Sequence, residues 1–292
     1  MITTAHSEYG KLKSLFIKKA SDAFINDAQV EKEWKQLNFL SKPDFSNAVS
    51  EYKKFEEVLQ QYAETVFHLP PFNNVTMDSI YCRDAAIATN KGMIICNMGK
   101  PARNNEPKAE QTAFEKNNIP VLGIIQSPGT VEGGDVAWLD ENTLAVGHTY
   151  RTNNEGIDQL QALLNTIGVH VVVAELPHYK GPSDVFHLMS IFSPVDKDLA
   201  VVYSPLMPIA FRDLLLKRNY KLVEVPDEEF DTMGCNVLAL APRVCLMVNG
   251  NPKTKSLLEA AGGKVIEYKG EDISVKGGGG PTCLTRPVWR EV

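Results

Sequence analysis

The sequence lacks any paired arrangement of cysteines. Its five cysteines are odd in number, and none of them stands in a Cys-x-x-Cys pair. A disulfide framework or a structural zinc site is therefore not expected, and the cysteine usage predicts a reducing, cytoplasmic location. In such a chain most cysteines are small core side chains. The question is whether one of the five differs from the rest.

Long hydrophobic runs and an excess of positive charge are also missing. No stretch approaches the roughly 18 apolar residues of a membrane span, and the first residues lack the apolar run of a secretory signal. The net charge is −6 and the pI is near 5.6. Nucleic acids and anionic membranes bind basic faces, so we expect neither as a partner.

The 292 residues, 43% of them hydrophobic, are enough for a sizeable buried core. Short β-branched runs alternate with helical patterns, which predicts an α/β fold. Predicted strands lie at 12–19, 85–90, 92–98, 120–125, 136–139, 143–147, 169–176, 199–204, 221–226, 237–241 and 244–249. Predicted helices lie at 47–65, 107–116, 154–166, 207–217 and 252–261. No low-complexity linker interrupts the chain, so we expect one domain over 1–292, with a helical insertion at about 27–65.

Polar residues recur just before predicted strands, with a period of about 50 residues. They are Asp84, Glu132, His187, Asn236 and Cys283. This spacing favours a cyclic array of strand–strand–helix repeats, each of which offers one polar residue to a central axis. The upstream string HSEYGKLKSLFI could open one more unit. The alternative is that turn-then-strand junctions recur in any α/β protein.

Cys283 differs from the other cysteines in its surroundings, KGGGGPTCLTRP. The glycine run cannot continue a helix or strand, so the backbone turns tightly and can approach a ligand. A thiolate is the reactive form, and its formation needs a nearby cation, a base or a cationic substrate. An incidental thiol on a flexible loop is the alternative. His187 lies among apolar residues in DVFHLMSIF, so the alternative for it is a buried core histidine without a catalytic role.

Taken together, these residues suit chemistry on a guanidinium group. A guanidinium is planar and pairs bidentately with carboxylates, so Asp84 and Glu132 could hold it from two sides. Arg83 next to Asp84 allows a simpler interpretation, an ordinary surface ion pair. With Cys283 as nucleophile and His187 as acid and base, the reaction needs no metal and no cofactor.

The motifs resemble those of the guanidine-modifying superfamily, the penteins, which includes dimethylarginine dimethylaminohydrolases, arginine deiminases and amidinotransferases. The resemblance covers nearly the whole chain, through SEYGKLKSLFI, YCRDAAI, EGGDVAWL, VGHTYRTNNEG, FHLMS and GGGGPTCLTRP. It implies a five-bladed α/β propeller of ββαβ repeats around a central active site. It also implies a small-molecule arginine derivative as the partner, and it leaves a homodimer open.

The resemblance also implies roles for individual residues. Cys283 would form a covalent thiouronium-like intermediate, and His187 would protonate the leaving amine and then activate water. Glu132 would pair with the guanidinium and support His187. The remaining matches are two substrate-binding acids, Asp84 and Asp78, and two arginines that hold the substrate carboxylate, Arg103 and Arg151. Ordinary loop arginines are the alternative for the last pair.

Within the superfamily, the RTN and His-Leu-x-Ser strings are similar to the dimethylarginine hydrolases. Deiminases typically carry His-x-Asp, whereas Met189 stands at that third position here. Two features depart from the best-known animal hydrolases, namely Arg83 before Asp84 and glutamate instead of aspartate at Glu132. On the two similar strings and on Met189, we expect hydrolysis of Nω-methylated arginine to citrulline and a methylamine. The alternatives are an arginine deiminase or dihydrolase, an amidinotransferase, and a non-catalytic binding module.

Overall fold

A computed structural model describes residues 6–184 and 186–291. Over these residues the strands form five sheets of three strands each. The strands are β1 (Lys11–Ile17), β2 (Thr65–His68), β3 (Ala86–Thr89), β4 (Gly92–Ile95), β5 (Val121–Ile124), β6 (Val136–Asp140), β7 (Thr143–His148), β8 (His170–Glu175), β9 (Phe192–Asp196), β10 (Leu199–Val202), β11 (Lys221–Glu224), β12 (Leu238–Ala241), β13 (Val244–Val248), β14 (Lys264–Tyr268) and β15 (Arg286–Glu291).

The same connection repeats in each sheet. The first two strands form an antiparallel pair, and the third strand lies parallel to the second, as in β6-β7-β8 and β12-β13-β14. A parallel neighbour requires a crossover connection, which a helix supplies. The repeating unit is therefore ββαβ, and the expected five-bladed α/β propeller is confirmed.

The two ends of the chain share one blade. β15 pairs antiparallel with β1, and β1 pairs parallel with β2. The N-terminal strand therefore completes the blade that begins after Cys283. This corrects the expectation that HSEYGKLKSLFI opens one more unit, because ring closure uses it as the second strand of the fifth blade.

Helices cross between the second and third strands of the blades. They are α1 (Ala20–Phe24), α2 (Asp27–Glu33), α3 (Phe45–Tyr62), α4 (Glu106–Lys116), α5 (Asn154–Asn165), α6 (Ile209–Lys217) and, after the short α7 (Asp227–Phe230) that instead lies between β11 and β12, α8 (Pro252–Ala260). The longest, α3, begins where the Asp44 side chain accepts a hydrogen bond from the Asn47 amide. Its buried face, Tyr52, Phe55 and Leu59, packs into the largest core cluster. No helix in the described part of the chain is long and apolar enough to cross a membrane.

Arg83 lies in the interior and not at the surface. Its side chain is fully buried, and Nη2 donates to Glu8 Oε2 at 2.9 Å. The suggested surface ion pair with Asp84 is therefore wrong. Arg286 lies nearby and donates from Nη1 to the carbonyl oxygens of Arg83 and Ala86. These contacts tie the closing strand β15 to the loop that carries Asp84.

Candidate active site

The five recurring polar residues take equivalent places in the propeller. Each lies two to five residues before the first strand of a blade, namely β3, β6, β9, β12 and β15. The loops differ in detail, since one-turn 3₁₀ helices at Gly133–Asp135 and Leu188–Ser190 follow Glu132 and His187. The pattern in the sequence therefore marks one structural position in every blade.

His187 lies between two carboxylates. Its Nε2 is 2.8 Å from Glu132 Oε2, and its Nδ1 is 3.9 Å from Asp84 Oδ1. All three side chains are buried. Burial alone would lower the pKa of His187, but the charges of Asp135, Asp84 and Glu132 outweigh it and raise that pKa to about 9. Burial would raise the pKa of Glu132, yet its bond to His187 and the nearby charges lower it to about 2. Near neutral pH the pair is therefore imidazolium and carboxylate.

The Glu-Gly-Gly-Asp turn positions this pair. Asp135 accepts hydrogen bonds from Thr149 Oγ1 and Thr152 Oγ1, each at 2.7 Å, and from the Leu188 amide at 3.1 Å. It thereby fixes the backbone that follows His187. A Cβ at Gly134 would lie 2.4 Å from His187 Nδ1, so only glycine leaves room for the imidazole.

One oxygen of the Asp84 carboxylate is held by Arg103, and the other accepts no hydrogen bond from the described residues. Arg103 donates from Nη1 to Asp84 Oδ2 at 2.5 Å, while its Nε and Nη2 bind Glu106. Oδ1 of Asp84 is buried and accepts no hydrogen bond from the described residues. A buried carboxylate oxygen without a donor is costly unless a ligand supplies one. The structure thus places Arg103 against Asp84 and Glu106, and its predicted contact with a substrate carboxylate stays a prediction.

Asp78, the other predicted acid, binds the ammonium group of Lys100. Lys100 Nζ donates to Asp78 Oδ2 at 2.6 Å and to the Leu37 carbonyl at 2.7 Å. Sequence reasoning missed Lys100, since nothing in its surroundings pointed to this contact. In the described part of the chain, the contacts of the Arg151 guanidinium are long, 3.5 Å to Glu132 Oε1 and 3.4 Å to the Asp184 carbonyl. Its guanidinium therefore keeps donor capacity for an anionic group.

Cys283 is half-buried, whereas the other cysteines, Cys82, Cys96, Cys235 and Cys245, are buried. Burial, followed by the charge of Asp84, raises the pKa of the Cys283 thiol. The thiol is therefore protonated in the free protein, and a cationic ligand between the thiol and Asp84 would favour the thiolate.

Asn236 positions the thiol. Its Nδ2 donates to Cys283 Sγ at 3.4 Å, while its Oδ1 accepts from the Thr282 amide and hydroxyl at 3.1 and 2.8 Å. Those two bonds hold the amide with its donor toward sulfur. Sequence reasoning placed Asn236 in the repeat but gave it no role. Its place in the 50-residue period was the one signal that could have indicated a position at the site.

Two cavities meet at the thiol and the imidazole. The larger, of about 260 Å³, and the smaller, of about 20 Å³, both include His187 and Cys283 in their walls. The smaller is lined by the charged groups Asp78, Asp84, Lys100, Arg103 and Arg151. The predicted residues therefore converge on one place, with Glu132 joined to it through His187.

Three of these side chains could also hold a metal ion. The ligand atoms of Asp84, Glu132 and His187 lie within 4.8 Å of one another. Charge pairing accounts for this spacing without a metal, because a protonated His187 lies between the two carboxylates and Arg103 pairs with Asp84 from the other side.

Comparison with known proteins agrees with this geometry. The chain is 27% identical to the uncharacterized protein YkgA of Bacillus subtilis, over 99% of this chain and 96% of that one. It is 26% identical to arginine deiminase 1 of Staphylococcus epidermidis, over 77% of this chain and 64% of the deiminase.

Solved structures share the fold. The dimethylarginine dimethylaminohydrolase of Pseudomonas aeruginosa, a mutant solved with citrulline, aligns with a TM-score of 0.77 at 22% identity and covers 96% of this chain and 100% of its own. The amidinotransferase SxtG of Microseira wollei aligns with a TM-score of 0.81 at 14% identity and covers 99% and 98%. The family model described as N,N dimethylarginine dimethylhydrolase, eukaryotic, matches residues 20–290. With the match extending over nearly the whole chain, this protein belongs to the N,N dimethylarginine dimethylhydrolase family of guanidine-modifying enzymes.

Proposed function

We propose that this protein hydrolyses Nω-methylated arginine to citrulline and a methylamine through a covalent intermediate on Cys283. The observation that carries the proposal is the buried Oδ1 of Asp84, which accepts no hydrogen bond from the described residues. It lies beside the His187–Glu132 pair and on the same cavity as the Cys283 thiol. A guanidinium supplies the donors that this oxygen lacks. It also supplies the positive charge that an otherwise protonated thiol needs.

The first half of the reaction forms the intermediate. The guanidinium binds against Asp84, and the thiol of Cys283 releases its proton to solvent water as the cation arrives. The thiolate adds to the central carbon. The His187 imidazolium then gives its proton to the methylated nitrogen, the carbon–nitrogen bond breaks, and methylamine leaves. Cys283 is left as an S-alkylthiouronium.

The second half consumes water. His187, now neutral, takes a proton from water as the water oxygen adds to the same carbon. The carbon–sulfur bond breaks, and the new oxygen loses its remaining proton as the ureido group of citrulline forms. The released thiolate of Cys283 takes up one proton from solvent and returns to the thiol. Glu132 holds the imidazole through both proton transfers, because its 2.8 Å bond to His187 Nε2 is shorter than the 3.9 Å contact between His187 Nδ1 and Asp84.

Some of the groups that line the small cavity suit the main-chain end of an amino acid. Arg151 has donors for a carboxylate. Two acceptors, Asp78 and the Leu37 carbonyl, already bind the ammonium group of Lys100. Since that cavity measures only about 20 Å³, substrate binding must redirect the Lys100 side chain.

Product analysis tests the proposal. The protein is incubated separately with asymmetric dimethylarginine, monomethylarginine and arginine, and products are identified by mass spectrometry. We expect citrulline from the methylated substrates and hardly any from arginine. No citrulline from either methylated substrate would contradict the proposal.

A second candidate, hydrolysis of arginine itself, is favoured by the 26% identity to an arginine deiminase. Citrulline from unmethylated arginine would support it, and ornithine would mark a dihydrolase. Turnover that requires an added acceptor amine would indicate an amidinotransferase instead.

A further inference from the structure

The larger cavity exceeds the needs of a methylamine. Its volume is about 260 Å³, whereas an engineered cavity of roughly 150 Å³ is enough to hold benzene. Its walls include the apolar and aromatic side chains Leu40, Tyr179, Phe186, Met189, Phe230 and Met233. These side chains favour an apolar ligand.

The position of the cavity relates it to the departing nitrogen. The smaller cavity is lined by Asp78, Lys100, Arg103 and Arg151, and the guanidinium of Arg151 keeps donor capacity for a carboxylate. Besides His187, the charged groups of the larger cavity are Asp184 and the pair Lys180–Asp231, whose charges offset each other. The charged main-chain end of an arginine derivative therefore belongs in the smaller cavity. Its guanidinium carbon lies at Cys283, where the two cavities meet. The nitrogen beyond that carbon then faces the larger cavity, and so does His187, the acid that protonates it.

Part of the wall is a defined aromatic cluster. The rings of Tyr179 and Phe186 have centroids 5.6 Å apart, and those of Tyr179 and Phe230 are 6.2 Å apart. Phe230 also stacks on Tyr203 at 3.9 Å. At the rim, Lys180 pairs with Asp231 at 3.1 Å. An apolar group that enters past this polar rim would contact ring faces and edges.

We propose that the larger cavity binds the substituent on the departing amine, and that the enzyme accepts arginine derivatives whose Nω carries an alkyl or aryl group larger than methyl. The inference rests on the proposed hydrolysis at Cys283. For Nω-benzylarginine, the bond between the guanidinium carbon and the benzyl-bearing nitrogen breaks. His187 protonates that nitrogen, benzylamine leaves, and water supplies the ureido oxygen of citrulline.

The experiment compares Nω-benzylarginine with Nω-monomethylarginine on the wild type and on Met233→Trp, which fills the cavity. We expect the wild type to release citrulline and benzylamine with kcat/KM within about tenfold of the methylated substrate. In Met233→Trp, we expect kcat/KM for the benzyl substrate to fall by about 30-fold or more and that for the methyl substrate to stay within about threefold. Leu40→Trp provides a second filling variant on another wall. Leu257→Trp, on the exposed face of α8, is the matched control and should change neither value.

Three results would overturn the inference. If the wild type hydrolyses the methylated substrate but not the benzyl one, the cavity does not serve the leaving group, and the proposed function stands. If both filling variants slow the two substrates equally, the cavity is an access path. If no substrate yields citrulline, the proposed function fails and the inference fails with it.

Discussion

Replacement of Cys283 by serine should reduce kcat by about 10⁴-fold or more, because the covalent route requires the sulfur nucleophile. A serine hydroxyl is a weaker nucleophile than a thiolate, and the neighbouring Asn236 is not a base that could activate it. Asn236 would still donate to the new side chain, and the fold should be unchanged. The measurement is citrulline release from monomethylarginine under saturating substrate.

The matched control is Cys245→Ala. Cys245 lies in β13, fully buried in a core cluster, so its loss should cost about 1 kcal/mol of stability and little activity. Thermal unfolding of both variants separates folding from chemistry. A Cys283→Ser protein that kept activity within tenfold of the wild type would remove the nucleophile from the proposed mechanism.

Removal of the Glu132 carboxylate should both slow the enzyme and move its pH profile. The acid that protonates the leaving amine is the His187 imidazolium, whose pKa is raised to about 9. Below that pH the acid is present, and above it the proton is lost. The wild-type kcat/KM should therefore fall as pH rises through about 9. Glu132→Gln keeps the shape of the side chain but removes a charge that favours imidazolium, so the falling limb should move to lower pH.

At neutral pH we expect kcat/KM of Glu132→Gln to drop by about 10²- to 10³-fold, the range of a lost general acid. Glu175→Gln is the control, since Glu175 pairs with His148 at 2.6 Å on the surface. It should leave the rate and the pH profile unchanged. An unshifted falling limb in Glu132→Gln would mean that His187 is not the group that titrates.

Repetition in the sequence predicted most of the fold. Strand–strand–helix content with a period near 50 residues identified the blades, and each predicted helix overlaps an observed one. The strands that were missed have physical reasons. β9 and β15 contain Pro194 and Pro287, which weaken a strand pattern. β2 and β14 are third strands with half-exposed side chains, so their apolar signal is weak.

Two buried arginines also made β15 hard to predict as a strand from the sequence. Arg286 and Arg290 lie in the interior although their residue type indicates a surface. Arg290 Nη1 donates to the carbonyl oxygens of Gly10 and Ala239. These acceptors come from distant parts of the chain and become neighbours only when the ring closes. A local pattern cannot predict such partners.

The candidate site was predictable where one residue type carries the chemistry. Cys283, His187 and Glu132 followed from their junctions and from the family motifs, and the structure brings them to one place. The environment was not predictable. The ammonium of Lys100 on Asp78 and the guanidinium of Arg103 on Asp84 depend on contacts between the loop before β3 and the loop after β4. Short-range spacing carries no information about them.

The central claim is that Cys283 attacks the guanidinium carbon, and a quenched reaction tests it most directly. His187→Gly should slow hydrolysis of the intermediate, because no base then activates water. The same variant lacks the acid that expels an amine, so the substrate is an S-methylisothiourea analogue of arginine, whose methanethiol leaves without a proton from His187. After incubation and an acid quench, mass spectrometry of the Cys283 peptide measures any adduct. We predict a mass increase equal to the analogue minus methanethiol, located on Cys283 and absent when Cys283→Ser is added to the variant. Citrulline formation without any such adduct on Cys283 would contradict the account.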